Sequence, residues 1–87
     1  LIKYSNPMYL EIITPDKKVF EGEVKLVQVP GSKGSFTILK NHAPIISTLE
    51  KGTIKVEDIS GKEYEFNVGG GVIENSDNKI IVLVESV

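Results

Sequence analysis

The sequence predicts an all-β fold of the sandwich or barrel type, and three observations support this prediction. Apolar and polar residues alternate with period two over several segments, most clearly at residues 63–68, EYEFNV. Turn-forming Gly, Pro, Asn and Asp recur about every eight to twelve residues, a spacing typical of many short strands. No window of eleven residues carries the apolar stripe of an amphipathic helix.

The strands can be placed in order along the chain. Residues 23–26 carry apolar side chains at even positions and residues 27–29 at odd positions, so we expect a β-bulge or a change of sheet there. Residues 53–57 and 63–68 flank Ser60-Gly61 and predict an antiparallel hairpin. The β-branched run at residues 79–84 follows the turn residues 75–78 and predicts a central strand buried on both faces.

Composition excludes several classes of function. The chain has 87 residues, a net charge of −2 and no cysteine, which excludes disulfides and thiolate metal sites. All ten basic residues are lysines, whereas nucleic-acid sites favour arginine and a basic patch. We therefore expect no nucleic-acid partner, no metal and no cofactor.

The length of 87 residues predicts a single domain. Residues 1–7 are too short and polar for a signal peptide, and we interpret them as a cloning remnant or a short extension. Residues 8–87 form the predicted domain. No apolar run approaches the roughly 18 residues of a membrane-spanning helix, and we expect a cytosolic domain.

Two motifs could carry chemistry, but a structural role explains each better. The single histidine, His42, could act as a base only if a carboxylate such as Glu50 or Asp58 and a hydroxyl group were arranged around it. The glycines at 69–71 lead into a strand and not into a helix, so they predict a tight corner and not a phosphate loop. We expect His42 to be structural or to lie at an interface.

Four blocks in order resemble one known family, the epsilon subunit of F-type ATP synthases, called delta in mitochondria. The blocks are residues 13–16 with 19–24, residues 29–36, residues 41–46, and residues 70–74 with 79–83. The resemblance covers residues 8–84. It implies a flattened β-sandwich of about ten short, mostly antiparallel strands, and a non-catalytic rotor subunit that connects the gamma subunit to the c-ring. A free-standing β-sandwich module for ligand binding or adhesion is the alternative.

The resemblance also assigns two contact zones. The glycine turn, residues 31–35, would meet the c-ring through Gly31, Ser32, Lys33, Gly34 and Ser35. The His-Ala-Pro turn, residues 41–45, would face gamma through His42, Ala43, Pro44 and Ile45. Many family members carry an acidic residue where this chain has Lys33 or Ser35, so its complementarity to the ring differs. Glycine or proline is common at position 41, and Asn41 can adopt the same left-handed conformation.

Many family members continue into a C-terminal helical hairpin, and some bind ATP there. The chain ends at Val87, and the sequence leaves open whether a hairpin was removed or is natively absent. We expect no ATP binding by these 87 residues. The resemblance further implies a peripheral position at the membrane, on its cytoplasmic face in a bacterium, and leaves open whether protons or sodium ions drive the rotor.

Overall fold

The computed structural model describes residues 7–87, and this part of the chain folds into eight β-strands without a helix. Most of the predicted remnant or extension, residues 1–6, therefore lies outside the described residues. The strands are β1 (Met8–Ile13), β2 (Lys18–Val29), β3 (Phe36–Leu39), β4 (Ile45–Leu49), β5 (Gly52–Asp58), β6 (Glu63–Val68), β7 (Gly71–Ser76) and β8 (Lys79–Val84).

The strands form one curled sheet in the order β4-β7-β8-β1-β2-β5-β6, with β3 also paired to β2. All pairs are antiparallel except β1 with β8. The all-β prediction is confirmed, with eight strands in the described part instead of about ten.

The long strand β2 lets the sheet fold over itself. Its first half pairs with β1 and its second half with β5 and β3, and the register shifts between Val24 and Leu26. The predicted bulge is therefore confirmed. The Phe20 ring on β2 packs at 5.1 Å and 5.9 Å, between centroids, from Tyr64 and Phe66 of β6, although β2 and β6 are not paired. Two halves of the sheet thus enclose one core.

The core consists of the inward residues of nearly every strand. Its fully buried members include Leu10, Ile12, Val27, Ile38, Ile54, Ile73, Ile80 and Val82. They lie at alternate positions along each strand because successive side chains point to opposite faces. This single cluster holds both ends of β4 in place.

The prediction for residues 79–84 is right in one respect and wrong in another. The segment forms β8, which lies between β7 and β1 as expected of a central strand. It is not buried on both faces, because Ile80, Val82 and Val84 face the core while Leu83 is 52% exposed. Val72 of β7, its cross-strand partner, is also exposed, at 40%, so the outer face is open to solvent at this pair.

The turns behave as predicted. The hairpin between β5 and β6 turns at Gly61, with φ +91°. The β7–β8 hairpin turns through Asp77 and Asn78, which have φ values of +51° and +62°. A Cβ atom on Gly71 would lie 2.1 Å from the carbonyl oxygen of Leu83, so the glycine corner is confirmed as a close backbone approach.

Candidate functional site

The two predicted contact zones lie at opposite ends of β4. The His-Ala-Pro turn leads into the first residue of β4, whereas Gly31 forms a β-bridge with its last residue, Leu49. Five residues of strand separate them by roughly 15 Å, at about 3.3 Å per residue. The two turns are therefore separate surfaces at the two ends of one strand.

Backbone hydrogen bonds fix the glycine turn. The Gly34 N–H donates to the Gly31 carbonyl at 2.9 Å and closes the loop. The Ser32 N–H donates to the Thr48 carbonyl at 3.0 Å, and the Glu50 N–H donates to the Pro30 carbonyl at 2.9 Å. These bonds dock the turn onto the end of β4.

The two glycines of this turn have different roles. Gly31 is buried, and a Cβ atom there would lie 2.6 Å from the Gly34 carbonyl oxygen and 2.7 Å from the Phe36 ring. Gly34 has φ +126°, a conformation that other residues rarely adopt. Of the five residues predicted to meet the ring, Gly31 shapes the loop, and the four exposed ones are Ser32, Lys33, Gly34 and Ser35.

The His-Ala-Pro turn presents mainly its backbone and its proline. The His42 N–H donates to the Leu39 carbonyl at 3.0 Å, and Asn41 has the predicted left-handed conformation, with φ +66°. Ala43 and Pro44 are exposed, and His42 is half-buried. Ile45 is half-buried and packs against the core.

Two asparagines from the β7–β8 hairpin hold this turn. The Asn75 Nδ2 group lies 3.3 Å from the carbonyl oxygens of both His42 and Ala43. The Asn41 N–H donates to the Asn78 Oδ1 at 2.7 Å, and the Asn78 Nδ2 group donates to the Asn41 Oδ1 at 3.2 Å. The sequence indicated only a hairpin turn at residues 75–78, because nothing local relates it to a segment more than thirty residues away.

An exposed apolar strip adjoins the His-Ala-Pro turn, formed by Ile46, Val72 and Leu83. Their exposed fractions are 73%, 40% and 52%. Val72 and Leu83 are direct cross-strand partners, and Ile46 lies diagonally from Val72, which pairs with Thr48. The sequence analysis missed this strip. Its signal was the alternation in β4, which turns Ile46 outward because Ile45 turns inward.

Within residues 7–87, neither carboxylate considered as a partner of His42, Glu50 or Asp58, hydrogen-bonds to its ring. Its Nδ1 atom lies 2.7 Å from the Ala43 carbonyl oxygen within the same turn. The carboxylate of Asp58 instead accepts hydrogen bonds from the backbone N–H groups of Ser60 and Lys62, both at 2.9 Å, in the β5–β6 turn. Glu50 follows β4 at its far end, beside the glycine turn. His42 therefore makes a local contact within its turn, and the structural or interface role expected for it stays a prediction.

Other polar clusters stabilise strands and turns. Lys18 on β2 pairs with Glu11 at 2.7 Å and with Glu21 at 3.2 Å, and Glu21 also accepts a hydrogen bond from the Tyr9 hydroxyl. That hydroxyl lowers the pKa of Glu21. The hydrogen bond from the Ser60 side chain is the main cause of a lowered pKa for Asp58.

The described part of the chain has few features of a metal or small-molecule site. Among residues 7–87, no group of three or more His, Cys, Asp or Glu side chains could hold a metal ion. An open groove of about 580 Å³ lies between the glycine turn and β4. In the same residues no helix could span a membrane.

Comparison with known proteins agrees with this geometry. Residues 7–87 match the family model described as ATP synthase, Delta/Epsilon chain, beta-sandwich domain. The chain is 41% identical over 78 residues to the ATP synthase epsilon chain of Chlorobaculum tepidum, covering 90% of this chain and 89% of that protein. It is 36% identical over 80 residues to the epsilon chain of Campylobacter fetus, covering 92% of this chain and 62% of that protein.

Among solved structures, one chain of the central stalk and c-ring assembly of the Tetrahymena thermophila mitochondrial ATP synthase has the same fold. The TM-score is 0.76 at 19% sequence identity, over 97% of this chain and 67% of that chain. The family match covers every described residue, and the matched part of this chain spans from 55% to 89% of the length of the curated relatives compared. The chain belongs to the family of the ATP synthase delta/epsilon β-sandwich domain.

Proposed function

We propose that the chain is a non-catalytic subunit of the ATP synthase rotor, which connects the gamma subunit to the c-ring and helps couple ion flow to ATP synthesis. Membership of the delta/epsilon family supports this role. The similar Tetrahymena chain belongs to a central stalk and c-ring assembly, and this is the location that we propose for the present chain. The alternative of a free-standing ligand-binding or adhesion module is not favoured by these matches.

The exposed Ile46 side chain is the observation that carries the proposal. An isoleucine exposed to 73% beside two further exposed apolar side chains is unfavourable in water, and such patches are typical of protein interfaces. The strip is continuous with the His-Ala-Pro turn, which the family resemblance assigns to gamma. We therefore assign His42, Ala43, Pro44 and Ile45, together with the apolar strip, to the gamma interface.

The glycine turn is suited to a polar partner. Its exposed residues are hydroxyl-bearing, glycine or lysine, and the backbone bonds to β4 and the glycine geometry fix its shape. Lys33 supplies a positive charge at this end of the domain. We assign Gly31, Ser32, Lys33, Gly34 and Ser35 to contacts with the polar loops of the c-ring, and we expect an acidic or polar loop opposite Lys33.

The location follows from these partners. A subunit held between gamma and the ring is peripheral to the membrane, without inserting into it. In a bacterium this corresponds to the cytoplasmic face of the inner membrane. The subunit carries no catalytic site or cofactor of its own in this proposal and acts only within the complex.

The gamma interface can be tested by co-expression with the gamma subunit of the same organism. We expect a complex that survives gel filtration, and we expect Ile46→Glu or His42→Glu to weaken it by tenfold or more, because a charge would be buried against an apolar partner. Ile59→Glu is the matched control, since Ile59 is likewise exposed, at 53%, but lies in the β5–β6 turn. Separate elution of the two wild-type proteins at micromolar concentration would contradict the proposal.

The c-ring assignment needs a different measurement. Lys33→Glu should reduce coupling of ATP hydrolysis to ion pumping in reassembled membranes, while binding to gamma stays within about twofold. Lys62→Glu in the β5–β6 turn makes the same charge change at an exposed residue elsewhere. Equal pumping by the Lys33 and Lys62 variants would remove the glycine turn from the ring interface.

A further inference from the structure

We propose that Asn75 and Asn78 are positioning residues, which hold the His-Ala-Pro turn in the conformation that binds gamma. The β7–β8 hairpin would then set the shape of a turn that belongs to a different part of the chain. The proposal rests on the proposed function only for the identity of the partner.

Asn75 is a buried polar residue whose donor group is directed at the turn. It lies on the core face of β7, is 2% exposed, and pairs across the sheet with Ile45 and Ile80. Its Nδ2 group donates to the His42 and Ala43 carbonyls, which lie 33 and 32 residues away in the chain. Its Oδ1 atom accepts no hydrogen bond within the described residues.

Packing alone would favour an apolar side chain at position 75. The neighbours Ile45 and Ile80 contact an apolar core, and an unpaired buried oxygen destabilises a protein. The donor group of Asn75 therefore contributes something that leucine could not. The carbonyls that the amide binds belong to a turn near solvent, where water could also hydrogen-bond to them. The amide is therefore not needed to satisfy these carbonyls, and its effect is to select one conformation of the turn.

Asn78 provides a second, independent contact to the same turn. Its side chain and that of Asn41 exchange hydrogen bonds, and both residues have left-handed backbone conformations, with φ values of +62° and +66°. Two turns that are far apart in the chain are thereby joined at their tips. Otherwise the turn closes locally through the His42 N–H bond to the Leu39 carbonyl.

Four variants of the full chain separate positioning from folding. Asn78→Gly keeps the left-handed turn and removes the side-chain contact, whereas Asn78→Asp retains an acceptor for the Asn41 N–H. Asn75→Leu removes the donor but fills the core. Asp77→Gly is the matched control, because Asp77 has φ +51° in the same hairpin turn and faces solvent.

Amide hydrogen exchange of Asn41 and His42 measures how readily the His-Ala-Pro turn opens in the absence of gamma. We expect exchange to accelerate about three- to tenfold in Asn78→Gly and Asn75→Leu, the range of one or two hydrogen bonds near a surface. Asn78→Asp and Asp77→Gly should remain within about twofold of wild type at Asn41. Core amides in β1 and β8 should exchange as in wild type, which shows that the fold is intact.

Affinity for gamma, measured on the same variants, completes the test. We expect a three- to tenfold loss in Asn78→Gly and Asn75→Leu, and none in Asp77→Gly. Unchanged exchange at Asn41 and His42 would overturn the positioning role, whatever the affinity. Accelerated exchange with unchanged affinity would also overturn it if His42→Glu weakens binding. If His42→Glu has no effect either, the gamma interface itself is wrong, and the failure belongs to the proposed function.

Discussion

The glycine turn and the His-Ala-Pro turn lie at the two ends of β4, but different interactions hold them. The bond from the Gly34 N–H to the Gly31 carbonyl closes the glycine turn, backbone bonds dock it onto β4, and Gly31, which leaves no space for a side chain, shapes it. The His-Ala-Pro turn is held by the side chains of Asn75 and Asn78, from the distant β7–β8 hairpin. Backbone groups hold the first turn, whereas side chains of a distant hairpin hold the second.

This difference predicts which of the two turns is the more rigid. Backbone bonds do not depend on which side chains other elements carry, so the glycine turn should withstand side-chain changes elsewhere. A turn held by distant side chains is sensitive to every element between them. The surface that we assign to gamma is therefore the more adjustable of the two.

The largest loss of stability is expected for a substitution at Gly31. Gly31→Ala should destabilise the chain by about 1–3 kcal/mol, because the new methyl group meets a carbonyl oxygen and an aromatic ring at under 3 Å. Urea unfolding followed by circular dichroism measures the loss. Ser35→Ala in the same turn should change stability by less than about 0.5 kcal/mol. Equal midpoints for the two variants would show that the turn relaxes freely and is not locally fixed.

A smaller effect is expected at Asn41 in the other turn. Asn41→Ala should cost about 1–2 kcal/mol, since φ +66° is unfavourable for alanine. Asn41→Gly removes the same side-chain contacts with Asn78 but tolerates the conformation, so it should be the more stable variant by thermal unfolding. If the alanine variant equals the glycine variant, the backbone at residue 41 adopts another conformation in solution.

A third turn, between β5 and β6, should respond to pH. Hydrogen bonds from Ser60 and Lys62 lower the pKa of Asp58 in the folded chain below its usual value of about 3.9. A lowered folded pKa contributes stability above the unfolded pKa, and this contribution disappears as pH falls through the lower folded value. The free energy of unfolding should fall below pH 4, and Asp58→Asn should reduce that dependence. A pH dependence equal to wild type in this variant would contradict the role of Asp58.

The smallest effect is expected for the side-chain contact within the glycine turn. The Thr48 hydroxyl donates to the Ser32 hydroxyl at 2.9 Å, and both residues are exposed. Ser32→Ala should therefore cost less than about 0.5 kcal/mol in urea unfolding, because water replaces the lost partner. A loss as large as that of Gly31→Ala would show that side chains, and not the backbone, hold this turn.

The prediction for residues 79–84 failed in an informative way. A continuous β-branched run is typical of a strand covered on both faces, but Leu83 faces solvent in the described chain. The run is consistent with a partner protein that buries the outer face of β8 at the apolar strip. A single sequence does not distinguish a face buried by its own fold from one buried in an assembly, because the same side chains suit both.

The sequence by itself determined β5, β6, β8 and the second half of β2, together with the β2 bulge, the glycine corners and the family. All of these depend on local conformation, on alternation, or on motifs in a fixed order. Only the tertiary structure brought residues 75 and 78 to residues 41–43, and placed Ile46, Val72 and Leu83 on one face. Such contacts depend on strand order and register, which the whole core fixes at once, and no local pattern in the chain records them.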